Sequence, residues 1–124
     1  MRAVSPKRAR ENRRRAKLLA ERRGPGPTYC EARLEGCQGW VTDGHEVRTS
    51  GRGGSRVDMS NVVDLCRHCH QVITDNSGQE GWAIRHGWVV ASWADRLHED
   101  EAWHVRTTFR CPLSCEVDHR VGFA

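Results

Sequence analysis

Apolar positions along this chain come in short bursts between long polar stretches, and each burst predicts a small element. Residues 6–23 carry the helix formers Ala9, Ala16, Leu18, Leu19 and Ala20, with no glycine and a single proline, Pro6. Ser5 before Pro6 has the form of an N-cap followed by proline at the first helical position, so a helix is expected there. Gly24-Pro25-Gly26-Pro27 ends it and reads as a linker. A globular part begins near Thr28. Residues 30–37 form a loop between two cysteines, and 40–47 read as a strand or half of a hairpin. Gly, Ser and Arg dominate 48–57, which predicts a loop. Residues 61–65 (Asn-Val-Val-Asp-Leu) predict a second short strand, and 66–75 a helix stopped by Asn76-Ser77-Gly78. One or two helical turns fit 79–86, ended by Gly87, and the apolar run 88–93 reads as a strand. Residues 94–110 are polar with no clear period, and no internal repeat is visible.

Composition narrows the class. With 124 residues, 37% of them hydrophobic, the chain suits one small α+β domain with an arm and a tail. The expected division is 1–27 as basic arm and linker, 28–93 as the main domain, and 94–124 as a C-terminal tail. A mean hydropathy of −0.73 and the lack of any apolar run near ~20 residues exclude a membrane-spanning helix. The basic N-terminus has no apolar stretch behind it, so it does not read as a secretory signal, and a cytoplasmic location is expected. A Rossmann-sized cofactor domain does not fit. A core this small usually needs metals or disulfides.

Charge is unevenly spread. Residues 1–23 hold ten Lys or Arg against Glu11 and Glu21, hence +8; the other 101 residues hold ten basic and fourteen acidic side chains, hence −4. A basic arm on a mildly acidic body points to a polyanion partner, nucleic acid first. Arg13, Arg14 and Arg15 are its densest cluster. The arm is either a helix formed on binding, because its charges repel in the free state, or a solvated tail.

The six cysteines read as metal ligands, since thiols stay reduced in the cytosol. Cys66-Arg67-His68-Cys69 is a CxxC, whose spacing lets two thiolates reach one ion. Cys30 and Cys37 supply a second pair, giving a closed structural Zn²⁺ site that would couple folding to metal. Redox chemistry is the alternative for a CxxC, but the strand-motif-helix context of such sites is absent. Near the C-terminus, Cys111, Cys115 and His119, with Asp118, are either a second zinc site or a pair of free thiols.

The stretch from Asp43 to His70 carries the chemistry. It contains Asp43-Gly44-His45-Glu46-Val47, then an Arg-rich loop with Gly53-Gly54, then Asn61 and the segment Leu65-Cys66-Arg67-His68-Cys69-His70. In order and spacing this resembles the HNH endonuclease family, most closely small HNH proteins encoded by bacteriophages of actinobacteria. The resemblance covers about residues 28–76. It implies a ββα-metal fold, in which two strands and a helix hold one divalent ion (Mg²⁺, Mn²⁺, Ni²⁺ or Zn²⁺) and the four-cysteine zinc site staples the base. It implies hydrolysis of phosphodiester bonds in double-stranded DNA. By position it makes His45 the general base, His70 the ligand of the catalytic ion, Asn61 the residue that pins the loop or touches the metal, and Asp43 a second ligand. It also suggests, by association with packaging genes, a phage terminase as partner.

One departure leaves an alternative open. Family members often place a ligand immediately before the base, where this chain has Gly44. Aligned without a gap from Gly53-Gly54, His45 takes the ligand position and Glu46 the base. A one-residue insertion restores His45 as base. His70 could instead replace a thiol at the zinc site. His68 points to another helix face and is expected to be non-catalytic. Arg48, Arg52 and Arg56 surround the glycine loop and suit backbone phosphates, and the arm adds non-specific DNA affinity. The five tryptophans are expected mainly to fill the core, with base stacking as the alternative. Two other classes compete with the nuclease: a zinc-stapled DNA-binding module without catalysis, and a redox or zinc-storage protein.

Overall fold

The computed structural model describes residues 3–78 and 81–108. The second cysteine group, Cys111, Cys115, Asp118 and His119, lies outside them. In chain order the elements are helix α1 (Pro6–Arg23), strand β1 (Asp43–Glu46), strand β2 (Val62–Leu65), and helices α2 (Arg67–Asp75), α3 (Trp82–Arg85) and α4 (Arg96–Thr108). Short 3-10 turns at Ser50–Arg52 and Met59–Asn61 shape the long loop between the strands. The described residues form a small α+β structure with one two-stranded sheet among them.

β1 and β2 pair antiparallel, with Gly44 opposite Asp64 and His45 opposite Val63. Alternation along β1 turns His45 into the protein while Glu46 faces the other way. Cys66 caps α2, its sulfur accepting from the Cys69 N–H at 3.3 Å. Cys69 and Ile73, one helical turn apart, are buried by α2 against Leu65, Val63, Val47 and Cys30.

Helix α1 starts and ends where its caps dictate: the Ser5 hydroxyl accepts from the Arg8 N–H at 3.1 Å, and Gly24 follows at φ 70°. It has no buried residue, yet it is not a free arm. Arg15 donates to the carbonyls of Gly44 and Arg56, at 2.9 Å each. Arg22 donates to those of Met59 and Val62, at 2.8 and 2.7 Å. Arg22 and Arg23 converge on one oxygen of Asp64, at 3.0 and 2.7 Å; Asp64 is a buried carboxylate on β2. The helix is docked on the sheet by arginines rather than by an apolar stripe.

Two expectations need correction. Residues 88–93 are not a strand. Trp88, Val89 and Val90 are buried, and the Val90 N–H reaches the Val47 carbonyl at 2.9 Å, but the run then turns outward and Trp93 is exposed. An apolar run reports burial, not pairing. The polar stretch beyond it contains a helix: α4 buries Ala102 and Val105, and Arg106 donates to the Gly87 carbonyl at 3.0 Å. The tryptophans also divide. Trp88 is buried and Trp82 packs on the core, whereas Trp40, Trp93 and Trp103 are exposed.

Candidate metal centre and histidine cleft

The four cysteines Cys30, Cys37, Cys66 and Cys69 bring their sulfurs within 4.8 Å of one another. Cys37 and Cys66 are 3.8 Å apart. A tetrahedron with ~2.3 Å zinc–sulfur bonds has edges of about 3.8 Å, so the group could hold a metal ion such as zinc with little rearrangement. Backbone N–H groups already point at the sulfurs: Gly39 at Cys37 (3.3 Å), Gln38 at Cys66 (3.4 Å) and Cys69 at Cys66. Burial pushes the Cys66 thiol up, but its N–H donors more than offset this and bring it below the ordinary thiol range. Burial raises Cys37 and Cys69. A partly ionised cluster crowded in this way favours a cation. His70 does not join it. His68 Nε2 donates to the Glu35 carbonyl at 2.9 Å and tethers the first cysteine loop to α2.

Between β1, the Gly-rich loop and α2 lies a cleft of about 240 Å³. His45, His70, Thr49, Arg52, Thr74 and Ser77 are among its lining residues. The two imidazoles meet edge to face with centroids 5.2 Å apart. His45 is buried, and its Nε2 lies 2.6 Å from the Trp88 carbonyl. A carbonyl can only accept, so Nε2 carries the proton and Nδ1 is left with its lone pair. Burial lowers the His45 pKa to about 4, helped by His70 and Arg106 and opposed by the Trp88 bond, so the ring is neutral at pH 7.

His70 is held through its other face. Its Nδ1 lies 2.8 Å from Asp43 Oδ2, which leaves Nε2 as its free nitrogen. Asp43 also receives the Arg67 guanidinium through contacts of 2.9–3.1 Å. Arg67 holds the Asp43 carboxyl below its usual range, against burial and with help from His70. Asp43 thus backs His70. Glu46 also lines this cleft, but its carboxylate lies 3.6 Å from Arg15 and 3.8 Å from Arg56. Among the described residues, the cysteines are the one group of three or more His, Cys, Asp or Glu with converging ligand atoms.

Asn61 closes the loop between the strands. Its Nδ2 donates to the carbonyls of Arg48 (2.8 Å) and Ser55 (2.9 Å), and its Oδ1 accepts from the Arg48 N–H (2.8 Å). The glycine pair fits that closure: Gly53 has φ 89°, and a Cβ on Gly54 would collide with the Arg48 carbonyl oxygen. The three loop arginines separate. Arg48 is spent on Glu99 and on the carbonyls of Ala91, Ser92 and Ala94. Arg56 binds Glu11 and Asn12 of α1. Only Arg52 lines the cleft, and its side chain makes no hydrogen bond or ion pair among the described residues. On α1, Arg13 and Arg14 are exposed, whereas Arg15 is turned to the sheet.

Sequence reasoning missed the Trp88 carbonyl, Arg67, Thr74 and Ser77. A backbone acceptor leaves no signal in residue type. Thr74 did leave one, since it follows His70 at i+4 on the same face of α2, whereas Ser77 lies past the helix end. No family model matches the chain, and neither the curated proteins nor the solved structures contain a match. No described helix is long and apolar enough to cross a membrane.

Proposed function

We propose that this chain is a metal-dependent endonuclease of the HNH type, in which β1, β2 and α2 form a ββα-metal module acting on double-stranded DNA. The observation that carries the reading is the His45 arrangement: a buried, neutral imidazole whose Nε2–H is fixed by a backbone carbonyl, set against a second imidazole fixed by a carboxylate. In this reading His45 Nδ1 takes the proton of the attacking water. His45 is a better base than Glu46, whose carboxylate lies between two arginines. His70 Nε2 would hold a divalent ion, with Asp43 orienting the ring. When bound, that ion supplies charge stabilisation at the non-bridging and leaving oxygens of the phosphodiester. Arg52 is the cation free to meet the phosphate, and Asn61 holds the loop that presents it.

A second reading, a zinc-stapled DNA-binding module without catalysis, is favoured by one observation. The cleft itself offers no three converging ligand atoms among the described residues. Supercoiled plasmid with Mg²⁺, Mn²⁺ or Ni²⁺ separates the two. The nuclease converts it to open-circle or linear DNA, and His45→Ala and His70→Ala, at matched zinc content, lose at least about 100-fold in rate. Intact plasmid with every ion, from protein that still retards DNA in a gel, selects the binding module.

A further inference from the structure

We propose that Arg15 is a positioning residue for β1, holding from α1 the peptide that leads into His45, and that residue 44 is glycine to admit it. The consequence for catalysis rests on the nuclease reading; the mechanical claim does not. The Arg15 side chain is 14% exposed and both its terminal nitrogens are engaged: Nη2 donates to the Gly44 carbonyl at 2.9 Å, and Nη1 to the Arg56 carbonyl at 2.9 Å while lying 3.6 Å from Glu46. It therefore ties the carbonyl of the Gly44–His45 peptide to the end of the Gly-rich loop. Arg56 repeats the tie from the loop side through Glu11 and Asn12 of α1.

Gly44 is not among the residues with positive φ, so its backbone does not ask for glycine. Space does: a Cβ there would lie 2.8 Å from Arg15 Nη2 and 3.3 Å from Val62 Cγ1. The nearer neighbour is the far end of a flexible side chain. A methyl group would therefore displace the guanidinium and leave the strand otherwise intact. The residue that departs from the family pattern is thus explained by the helix that packs behind it. An arginine that belongs by composition to a nucleic-acid arm belongs by geometry to the strand carrying the histidine.

The test uses the full zinc-loaded chain and compares Arg15→Ala, Arg15→Lys, Gly44→Ala and the Arg15→Ala/Gly44→Ala double variant. Amide exchange at His45 and Glu46 is expected to accelerate about ten- to a hundredfold in Arg15→Ala, with Val72 and Ile73 on α2 unchanged. Arg15→Lys should restore part of the protection. Gly44→Ala should accelerate the same amides in the parent, yet add nothing once Arg15 is absent. On plasmid, kcat should fall about tenfold with KM and salt dependence unchanged. Unchanged β1 exchange in Arg15→Ala, or additive effects of the two substitutions, overturns the proposal. So does a raised KM with a shallower salt dependence and unchanged kcat, which would make Arg15 a phosphate contact. If the parent cuts nothing, the nuclease reading falls, and amide exchange still judges the proposal. If Arg15→Ala does not fold, Gly44→Ala and Arg15→Lys decide on the same amides.

Discussion

Cys69 and His70 are adjacent on α2, and the fold treats them in opposite ways. Cys69 turns inward, fully buried, into a group of four sulfurs already met by backbone N–H donors. His70 turns to a cleft, about a third exposed, with one nitrogen fixed by Asp43 and the other left over. The first centre is closed and has the donor set of a structural metal site; the second leaves one imidazole nitrogen uncommitted. Both hang on β2 and the first turn of α2, so the closed centre can set the rigidity of the open one. The difference teaches that neighbouring donors in a sequence need not share an ion: one residue of helical rotation divides them.

The comparison breaks first, and with the largest effect, at the sulfurs. Cys69→Ala should lose the cluster's ion and, with it, cooperative unfolding, because the four sulfurs join the first cysteine loop to the start of α2 against Leu65 and Ile73. The expected cost is at least about 5 kcal/mol, read as the loss of a thermal transition and of one equivalent of zinc. Retained folding with unchanged metal content would show that the cluster is not the staple. His70→Ala, one position away, should keep both the transition and the zinc.

A middle-sized effect comes from His45, and its sign is fixed by burial. The folded pKa, about 4, lies below the ordinary value of 6.5. Well above pH 6.5 neither folded nor unfolded chain is protonated at this ring, so its contribution is fully present. As pH falls towards 4 the unfolded chain takes up the proton first, and stability drops by on the order of 3 kcal/mol. His45→Gln cannot titrate. The parent should therefore lose more stability than this variant between about pH 7 and pH 4.5, measured by denaturant melts at constant zinc. Parallel pH profiles would place the ring in contact with water.

The unequal legibility of these regions has physical causes. The sulfur cluster could be read because CxxC spacing constrains geometry, and the placement of His45, Asn61 and His70 followed the strands and helix that their neighbours encode. α1 showed as a helix through Ser5, Pro6 and Gly24, but its docking did not: arginine-to-carbonyl bonds leave no apolar stripe, and the same residues read as a free cationic arm. α4 hid because it buries little beyond Ala102 and Val105 while exposing Leu97 and Trp103. The fixing of His45 hid because its partner is a carbonyl. Arginine bonding also explains why Arg48, Arg52 and Arg56, alike by type, have three different environments.

That last division carries the smallest effect and sharpens the contrast between charges that hold the fold and charges that face outward. Arg48 is 11% exposed and bridges the loop to four acceptors around the start of α4. Glu99 is half-exposed, so most of the value lies in the carbonyl bonds rather than the ion pair. Arg48→Ala should cost about 1–2 kcal/mol in denaturant melts and leave the salt dependence of the proposed DNA binding unchanged. Arg14 is exposed on α1, and its side chain makes no bond among the described residues. Arg14→Ala should leave stability within about 0.5 kcal/mol of the parent and lower the logarithmic salt slope of DNA binding by about one. If the two substitutions exchange these signatures, Arg48 is the phosphate contact and Arg14 the brace. If neither changes the salt slope, the outer face of α1 does not meet DNA, and the docked helix serves the sheet alone.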